Sequence, residues 1–339
     1  MRSLVFIALF CLAPIASAQQ RYEFTHQQMG TLFSITLYTT DSARARTVTQ
    51  AAFRRIDTLN SLLSDYKEDS ELSLLSKASG SGQWVKVSKD LWRVLRISHR
   101  AARRSDGAFD ITVGPMVQLW RRFRRQLELP SEEALHKARA QVGYRKIRYH
   151  WWNRRVCLTI AGMRLDAGGI GKGYAIDEAC KVLQQYGMHS ALVNGGGNLV
   201  LGAAPPGKRG WNILLGEMNK DTTHAKQVSL HHRGVSTSGD QFQFVEIDGK
   251  RYSHIVDPFT GMGLLNQCIV SIIARNGTEA DWLSTAVSVL GPDKGLKLIR
   301  RTRQAKGYLL QPTQAGIKVW QSAHFTFGKN TSVGRTSKN

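Results

Sequence analysis

The chain has 339 residues, enough for one large domain or two ordinary ones with sizeable cores. Its 47 Lys and Arg outnumber 25 Asp and Glu, a formal charge of +22 that suits an anionic partner: nucleic acid, a lipid surface or an acidic protein. The basic stretches match no helix-turn-helix, zinc-finger or RNA-binding signature, so nucleic acid is not expected, and no run of about 18 apolar residues offers a transmembrane anchor.

Arg2, the apolar run Leu4 to Leu12 and the small-x-small site Ala16-Ser17-Ala18 read as a signal peptide over residues 1–18. The expected mature protein starts at Gln19 and is periplasmic or secreted. Cys11 lies inside the apolar run after bulky Phe10, which argues against lipid attachment. Without the signal, Cys157, Cys180 and Cys268 remain, an odd set with no CxxC or His/Cys cluster. Buried free thiols are expected, not a disulfide framework or a thiolate zinc site.

After a turn at Met29-Gly30-Thr31, the alternation of Phe33 to Tyr38 predicts a strand. Asp41 to Leu63 predicts a helix, with Ala52, Phe53, Ile56, Leu59 and Leu63 at helical spacing. A second helix is expected from Lys89 to Arg104, and a third from Pro130 to Val142, where Pro130, Ser131 and acidic residues mark its start. These place a helical subdomain at roughly 89–143. From about Tyr144 the texture changes to short apolar runs such as Ala191-Leu192-Val193, Asn212 to Leu215 and Ile269 to Ile273, read as strands. Two helices interrupt them, Gly173 to Tyr186 closed by Gly187, and Thr278 to Leu290 closed by Gly291 and Pro292. The fold class is α+β. No linker divides it, so residues 19–328 form one domain, followed by a disordered tail at 329–339.

Much of the positive charge falls between Arg93 and Arg155, including Arg121-Arg122 and Arg124-Arg125. Solvated helix faces account for such runs, and so does attraction to anionic lipid or an acidic partner.

Several segments carry possible chemistry. Asp166-Ala167-Gly168-Gly169-Ile170-Gly171-Lys172-Gly173 precedes an amphipathic helix, as a phosphate-binding loop or as a tight strand-to-helix turn. It fits neither a P-loop nor the dinucleotide glycine pattern. Asn194 to Asn198 reads as a turn. Asp281 and Thr285, four apart on one helix, can supply hard oxygen ligands to magnesium or calcium, or Asp281 can complete a capping box with Thr278. His254 lies in an apolar strand ending at Pro258, and Val235 to Asp240 gathers hydroxyls and Gly239, which suits phosphate or flavin contacts or a loop.

Together and in this order, these segments resemble the ApbE family, the FAD:protein FMN transferases. Further matching blocks are Ser64-Asp65-Tyr66 with Asp69 to Ser73, Gly107 to Thr112 with Gly114-Pro115 and Leu119-Trp120, and Ser253-His254-Ile255 with Asp257-Pro258 and Gly261. The resemblance covers nearly the whole mature chain. It implies a T-fold-like architecture with a mixed, largely antiparallel sheet, and FAD as substrate in a cleft. Asp281, Thr285 and the backbone carbonyl of Ala167 match magnesium ligands, with calcium the alternative. Lys172 lies beside them as a catalytic residue whose charge holds the pyrophosphate and neutralises its developing charge, and Met29, Tyr66, Ala108, Phe109, Asp110, Asp177, Thr237 and Gly239 fall in blocks lining the flavin or adenosine ends. His254 matches the catalytic histidine and also borders the FAD. Trp282 and Ser76 depart from the residues usual at their positions.

The implied reaction attaches FMN to a Ser or Thr of an acceptor protein with release of AMP. A metal-dependent FAD pyrophosphatase using water, and a non-catalytic flavin-binding protein, are the alternatives. Family acceptors carry Ser/Thr-Gly-Ala-Thr/Ser, often in membrane-bound redox subunits. The nearest sequence in this chain, Asp106-Gly107-Ala108-Phe109, lacks the acceptor hydroxyl.

Overall fold

A computed structural model describes residues 19–217, 221–239, 243–323 and 325. The expected signal peptide and C-terminal tail, together with Asp240, lie outside the described residues.

Strands β1 (Gln20–Gln28) and β2 (Thr31–Thr39) pair antiparallel across Met29 and Gly30. Their φ values of 49° and 70° are both positive, as a two-residue turn matched to strand twist requires. Helix α1 (Ser42–Leu63) is capped by the Asp41 side chain, which accepts the Arg44 N–H at 2.9 Å, and buries the five apolar residues expected to face inward. Short elements α2 (Glu71–Lys77) and β3 (Val85–Lys86) lead to α3 (Lys89–Arg104), which has the expected limits.

Helix α4 (Gly114–Gln126) was not expected, because its arginines mask a narrow buried face made by Met116 and Trp120 behind Pro115. Helix α5 (Glu132–Ala140) starts after Ser131, whose hydroxyl accepts the Ala134 N–H. The expected helical subdomain divides. Leu91, Val94 and Leu95 of α3 join the main core, whereas Met116, Trp120 and Ala138 pack with Ile247, Tyr252 and Val256 in a satellite cluster. Strands β4 (Ile147–His150) and β5 (Arg155–Leu158) form a hairpin that pairs with β3.

The remaining order is α6 (Gly171–Gln185), β6 (Ala191–Gly195), β7 (Asn198–Leu201), β8 (Trp211–Leu215), β9 (Lys226–Leu230), β10 (Arg233–Ser238), β11 (Phe244–Ile247), β12 (Lys250–Ser253), β13 (Ile269–Ala274), α7 (Gly277–Arg300), β14 (Lys306–Thr313) and β15 (Gly316–Gln321). The main sheet has eight strands in the order β1-β2-β6-β7-β10-β13-β14-β15, and all of its pairings are antiparallel. Helices α1, α6 and α7 bury the main core against one face of the sheet. The β8-β9 ribbon closes the other face over Leu201, Val235, Ile273 and Leu310. This is the expected α+β class.

Two local readings change. Helix α7 breaks at Gly291 (φ 70°, ψ 178°), where an end was expected, but a further helical stretch follows to Arg300. Strand β12 ends at Ser253, so half-buried His254 lies just beyond a strand and not within one. Cys157, Cys180 and Cys268 are buried, and burial pushes the Cys180 thiol up to about 12. Among the described residues no helix is long and apolar enough to cross a membrane.

Candidate active site

The start of α6 meets the first turns of α7 at Gly173. A Cβ there would lie 2.4 Å from the Gly277 carbonyl oxygen and 2.6 Å from Asp281 Cβ. Only glycine permits this approach, which lets the Gly173 N–H donate to Asp281 Oδ2 at 2.8 Å. Asp281 is buried, and that burial raises its pKa above the usual carboxylate value, opposed by the Lys172 charge, the Gly173 N–H and the Asn198 side chain. The capping-box alternative fails: Asn276 is the N-cap, accepting the Glu279 N–H at 2.8 Å.

Thr285 lies one turn after Asp281 and donates its hydroxyl to the Asp281 carbonyl oxygen at 3.2 Å. The glycine loop crosses above it. A Cβ at Gly169 would be 3.0 Å from Thr285 Oγ1 and 3.2 Å from the Phe109 ring, so Gly169 is the loop residue against Thr285. The Ala167 carbonyl, the expected backbone ligand, accepts the N–H groups of Ile170 (3.0 Å) and Gly171 (2.7 Å). Among the described residues no group of three His, Cys, Asp or Glu side chains is arranged for a metal. A cation here would rest on one carboxylate, a hydroxyl and backbone oxygens. These are hard donors, and a cation would offset the desolvated charge of Asp281, so the residues fit magnesium or calcium.

The loop is braced from outside. Asp166 Oδ1 accepts the Gly168 N–H at 2.7 Å, and Asp166 Oδ2 accepts from Arg121 at 3.3 Å. Arg121 also pairs with Asp65 and lies 4.4 Å over the Tyr66 ring. Burial and the neighbouring Asp65 charge raise the pKa of Asp166, against the pull of Arg121. Arg121 therefore connects the Asp65-Tyr66 block to the loop bearing Lys172, whose ammonium lies 3.5 Å from the Gly168 carbonyl oxygen.

The opposite side comes from strand ends. Gly196 and Gly197, with φ of 61° and 91°, form the β6-β7 turn and set Asn198 at the start of β7, facing Asp281. Gly196 packs against Thr31, next to the Met29-Gly30 turn. On β10, the hydroxyls of Ser236 and Ser238 meet Ser284 of α7 at 2.9 and 2.7 Å, and Thr237 meets Ser271 at 2.9 Å. Gly239, Ser253 and Ile255 line one recess with Leu264, Asn266 and Ser288. The Trp120 indole donates to the Ser253 carbonyl at 3.1 Å, fixing the strand end before His254. His254 Nδ1 lies 3.1 Å from the Gln243 carbonyl oxygen. A carbonyl only accepts, so Nδ1 carries the hydrogen and the neutral ring keeps its lone pair on Nε2.

Two expected FAD contacts are engaged within the chain. Asp110 accepts from the Thr112 N–H (2.9 Å), the Thr112 hydroxyl (2.7 Å) and the Tyr144 N–H (2.8 Å). Asp177 accepts the N–H groups of Gly277 and Thr278, both at 2.8 Å, and the Thr278 hydroxyl. Both carboxylates are desolvated, which raises their pKa values, and both shape walls by holding backbone. Ala108 and Phe109 are buried beside them. Sequence reasoning missed Asn198, Ser284 and the part played by Arg121. Asn198 stood in a cluster readable as a turn, and Arg121 was hidden in a run of like charges.

A family model described as the ApbE family matches residues 29–309. The FAD:protein FMN transferase of Klebsiella pneumoniae (strain 342) is 30% identical over 319 residues, covering 92% of this chain and 90% of that protein. That of Treponema pallidum (strain Nichols) is 32% identical over 300 residues, covering 83% and 82%. The solved apo form of flavinyl transferase ApbE from Pseudomonas stutzeri matches the fold with a TM-score of 0.80 at 29% identity, covering 90% of this chain and 96% of that one. The family match spans the glycine loop and both helices of the α6–α7 junction, and the chain belongs to the ApbE family.

Proposed function

We propose that the chain is an FAD:protein FMN transferase, taking FAD and an acceptor protein to FMN-modified acceptor and AMP. The observation that carries this reading is the α6–α7 junction, where buried Asp281, Thr285 and the Lys172 loop assemble in a chain whose transferase relatives match about nine-tenths of its length.

The acceptor hydroxyl oxygen attacks the FMN-side phosphorus, its proton passes to Nε2 of His254, and the bond from that phosphorus to the AMP oxygen breaks. General-base assistance of this kind is worth about 10²–10⁴ in rate. Lys172 holds the pyrophosphate. Asp281, Thr285 and a backbone carbonyl of the 166–169 loop would hold magnesium or calcium, which when bound neutralises charge on the phosphoryl oxygens. Met29, Tyr66, Phe109, Thr237 and Gly239 grip the rest of FAD, while Asp110, Asp177 and Arg121 keep the walls in place.

The acceptor in this reading carries a Ser/Thr-Gly-Ala-Thr/Ser sequence in a membrane-bound redox subunit. The protein works outside the cytoplasm, a placement supported by the N-terminal Arg2, the apolar run and the Ala16-Ser17-Ala18 site. Incubation with FAD, magnesium and an acceptor peptide should add the mass of FMN to the peptide and release one AMP per modification. FMN and AMP accumulating without peptide modification would identify a hydrolase, and intact FAD would identify a binding protein.

A further inference from the structure

The loop joining β4 and β5 is Trp151-Trp152-Asn153-Arg154, with His150 paired to Arg155 at its base. Trp152 is 94% exposed and Trp151 54% exposed. Adjacent large indoles at a convex tip are costly in water, since each leaves a large apolar surface unburied. The tip is also firmly held. The Val87 N–H donates to the Arg154 carbonyl at 2.9 Å, tying it to the end of β3. Trp151 stacks on Tyr149 at 5.5 Å, meets the edge of Trp92 at 5.6 Å and lies 5.3 Å from the Arg96 guanidinium.

Around this tip cations predominate, although Asp90 lies near Arg93, and Asp177 and Glu279 line the same pocket as Arg93, Arg96 and Arg100. Lys86 and Arg155 stand opposite each other on β3 and β5, and Arg93, Arg96 and Arg100 share an exposed face of α3. The sequence holds no Asp or Glu between Glu133 and Asp166. Among the described residues, Arg100 has no carboxylate in ion-pair reach and Arg96 has only the Trp151 ring. Like charges placed this close disfavour the folded chain unless an anion meets them.

We infer that the Trp151-Trp152 tip and the arginine face of α3 dock on an anionic phospholipid bilayer. Indoles settle at headgroup depth, and guanidinium groups gain from lipid phosphates around them. A projecting tip needs no matching pocket in a bilayer, whereas a folded protein partner would have to supply one. The same helix continues to Arg104, 5.8 Å over the ring of Trp282, the neighbour of Asp281. Arg96 and Arg104 are separated by about 12 Å of helix, so the docked face adjoins the helix carrying the candidate site. This inference does not depend on the transfer reaction.

The test is co-sedimentation of the full chain with phosphatidylcholine vesicles, with and without phosphatidylglycerol, comparing variants with the parent so that any binding by the Leu4 to Leu12 run cancels. Trp152→Ala removes an exposed side chain and should keep the parent melting temperature while binding phosphatidylglycerol vesicles at least roughly tenfold more weakly. Trp152→Phe should retain most of the binding. Arg96→Gln with Arg100→Gln should lose about fivefold per charge and show a shallower salt dependence. FMN transfer to a soluble acceptor peptide should be unchanged in all three. Equal vesicle binding by Trp152→Ala and parent would overturn the inference. So would binding that ignores phosphatidylglycerol, or binding to polyglutamate or RNA with none to vesicles.

Discussion

Gly173 and Asp281 are in contact across the α6–α7 junction, the glycine N–H donating to the carboxylate at 2.8 Å where a Cβ would lie 2.6 Å from the Asp281 Cβ. The contact fixes both the helix packing and the direction of the buried carboxylate. Two variants should therefore fail differently. Gly173→Ala must part the helices, costing about 1–3 kcal/mol of stability together with activity. Asp281→Ala should keep most of the stability and lose at least about 10²-fold in turnover, with no response to magnesium. A normal magnesium titration for Asp281→Ala would remove that residue from the metal site.

Arg121 belongs to the candidate site and not to a solvated face. It pairs with Asp65 and Asp166 and covers Tyr66, whereas Arg122 beside it is exposed. Removing Arg121 leaves two carboxylates facing each other and frees Tyr66 from the loop. Arg121→Gln should cost about 3 kcal/mol of stability, near the lower end for breaking a buried pair, and raise KM for FAD more than it lowers kcat. Lysine should rescue little, since it has no planar fork. Arg122→Gln is the control and should match the parent. An Arg121→Gln enzyme with unchanged KM would show that Tyr66 needs no bracing.

The position of α6 should be acid-sensitive. Arg55 donates to Asp90 at 2.9 and 2.6 Å and to Glu178 at 2.8 Å, and the Tyr174 hydroxyl adds a bond to Asp90 at 2.7 Å. Burial opposes ionisation of both carboxylates, but the bonds from Arg55, with Tyr174 on Asp90 and Lys181 on Glu178, bring their pKa values below the ordinary 3.8 and 4.5. Lowered folded-state pKa values give stability that is present above the unfolded values and lost as pH falls through the folded ones. The difference in Tm between parent and Arg55→Gln should thus be largest above about pH 5 and close below about pH 4. Calorimetry across that range checks it; a pH-independent difference would mean that the ion pairs contribute nothing.

What sequence reasoning could see depended on whether the signal was local. Helix α1 was visible because Asp41 supplies its cap and its buried residues recur at helical spacing. Strand β1 was not, since its alternating face of Tyr22, Phe24 and His26 is short, only half-buried and set in an otherwise polar run. The hydroxyl-rich Ser236-Thr237-Ser238 looked like loop or ligand contact, yet it runs down a central strand and bonds Ser271 and Ser284. At the site, the blocks were readable through their resemblance to a family, but their junctions were not. Asn198 facing Asp281 and Arg121 facing Asp166 are long-range pairs, invisible until strands and helices pack.

His254 should be required for transfer and dispensable for holding FAD. It follows β12 in a segment fixed by the Trp120 bond to Ser253, and its own N–H donates to the Gln243 carbonyl at 3.0 Å, the oxygen that also meets Nδ1. That arrangement leaves Nε2 with the basic lone pair, the requirement for taking a proton from an incoming hydroxyl. The cofactor is gripped elsewhere, by the Lys172 loop, the β10 end and the Tyr66 block. His254→Ala should then bind FAD with near-parent affinity while losing at least about 10²-fold in FMN transfer. Raising the pH should recover part of the loss by ionising more of the acceptor hydroxyl, and the recovery should be absent in Asp281→Ala, whose defect lies at the phosphates. FAD titration followed by single-turnover transfer separates the two quantities. If His254→Ala instead lost FAD affinity and melted earlier, with turnover per bound FAD near the parent value, the histidine would be a structural prop. Asp257, three residues on along the same segment, would then be the next base to test.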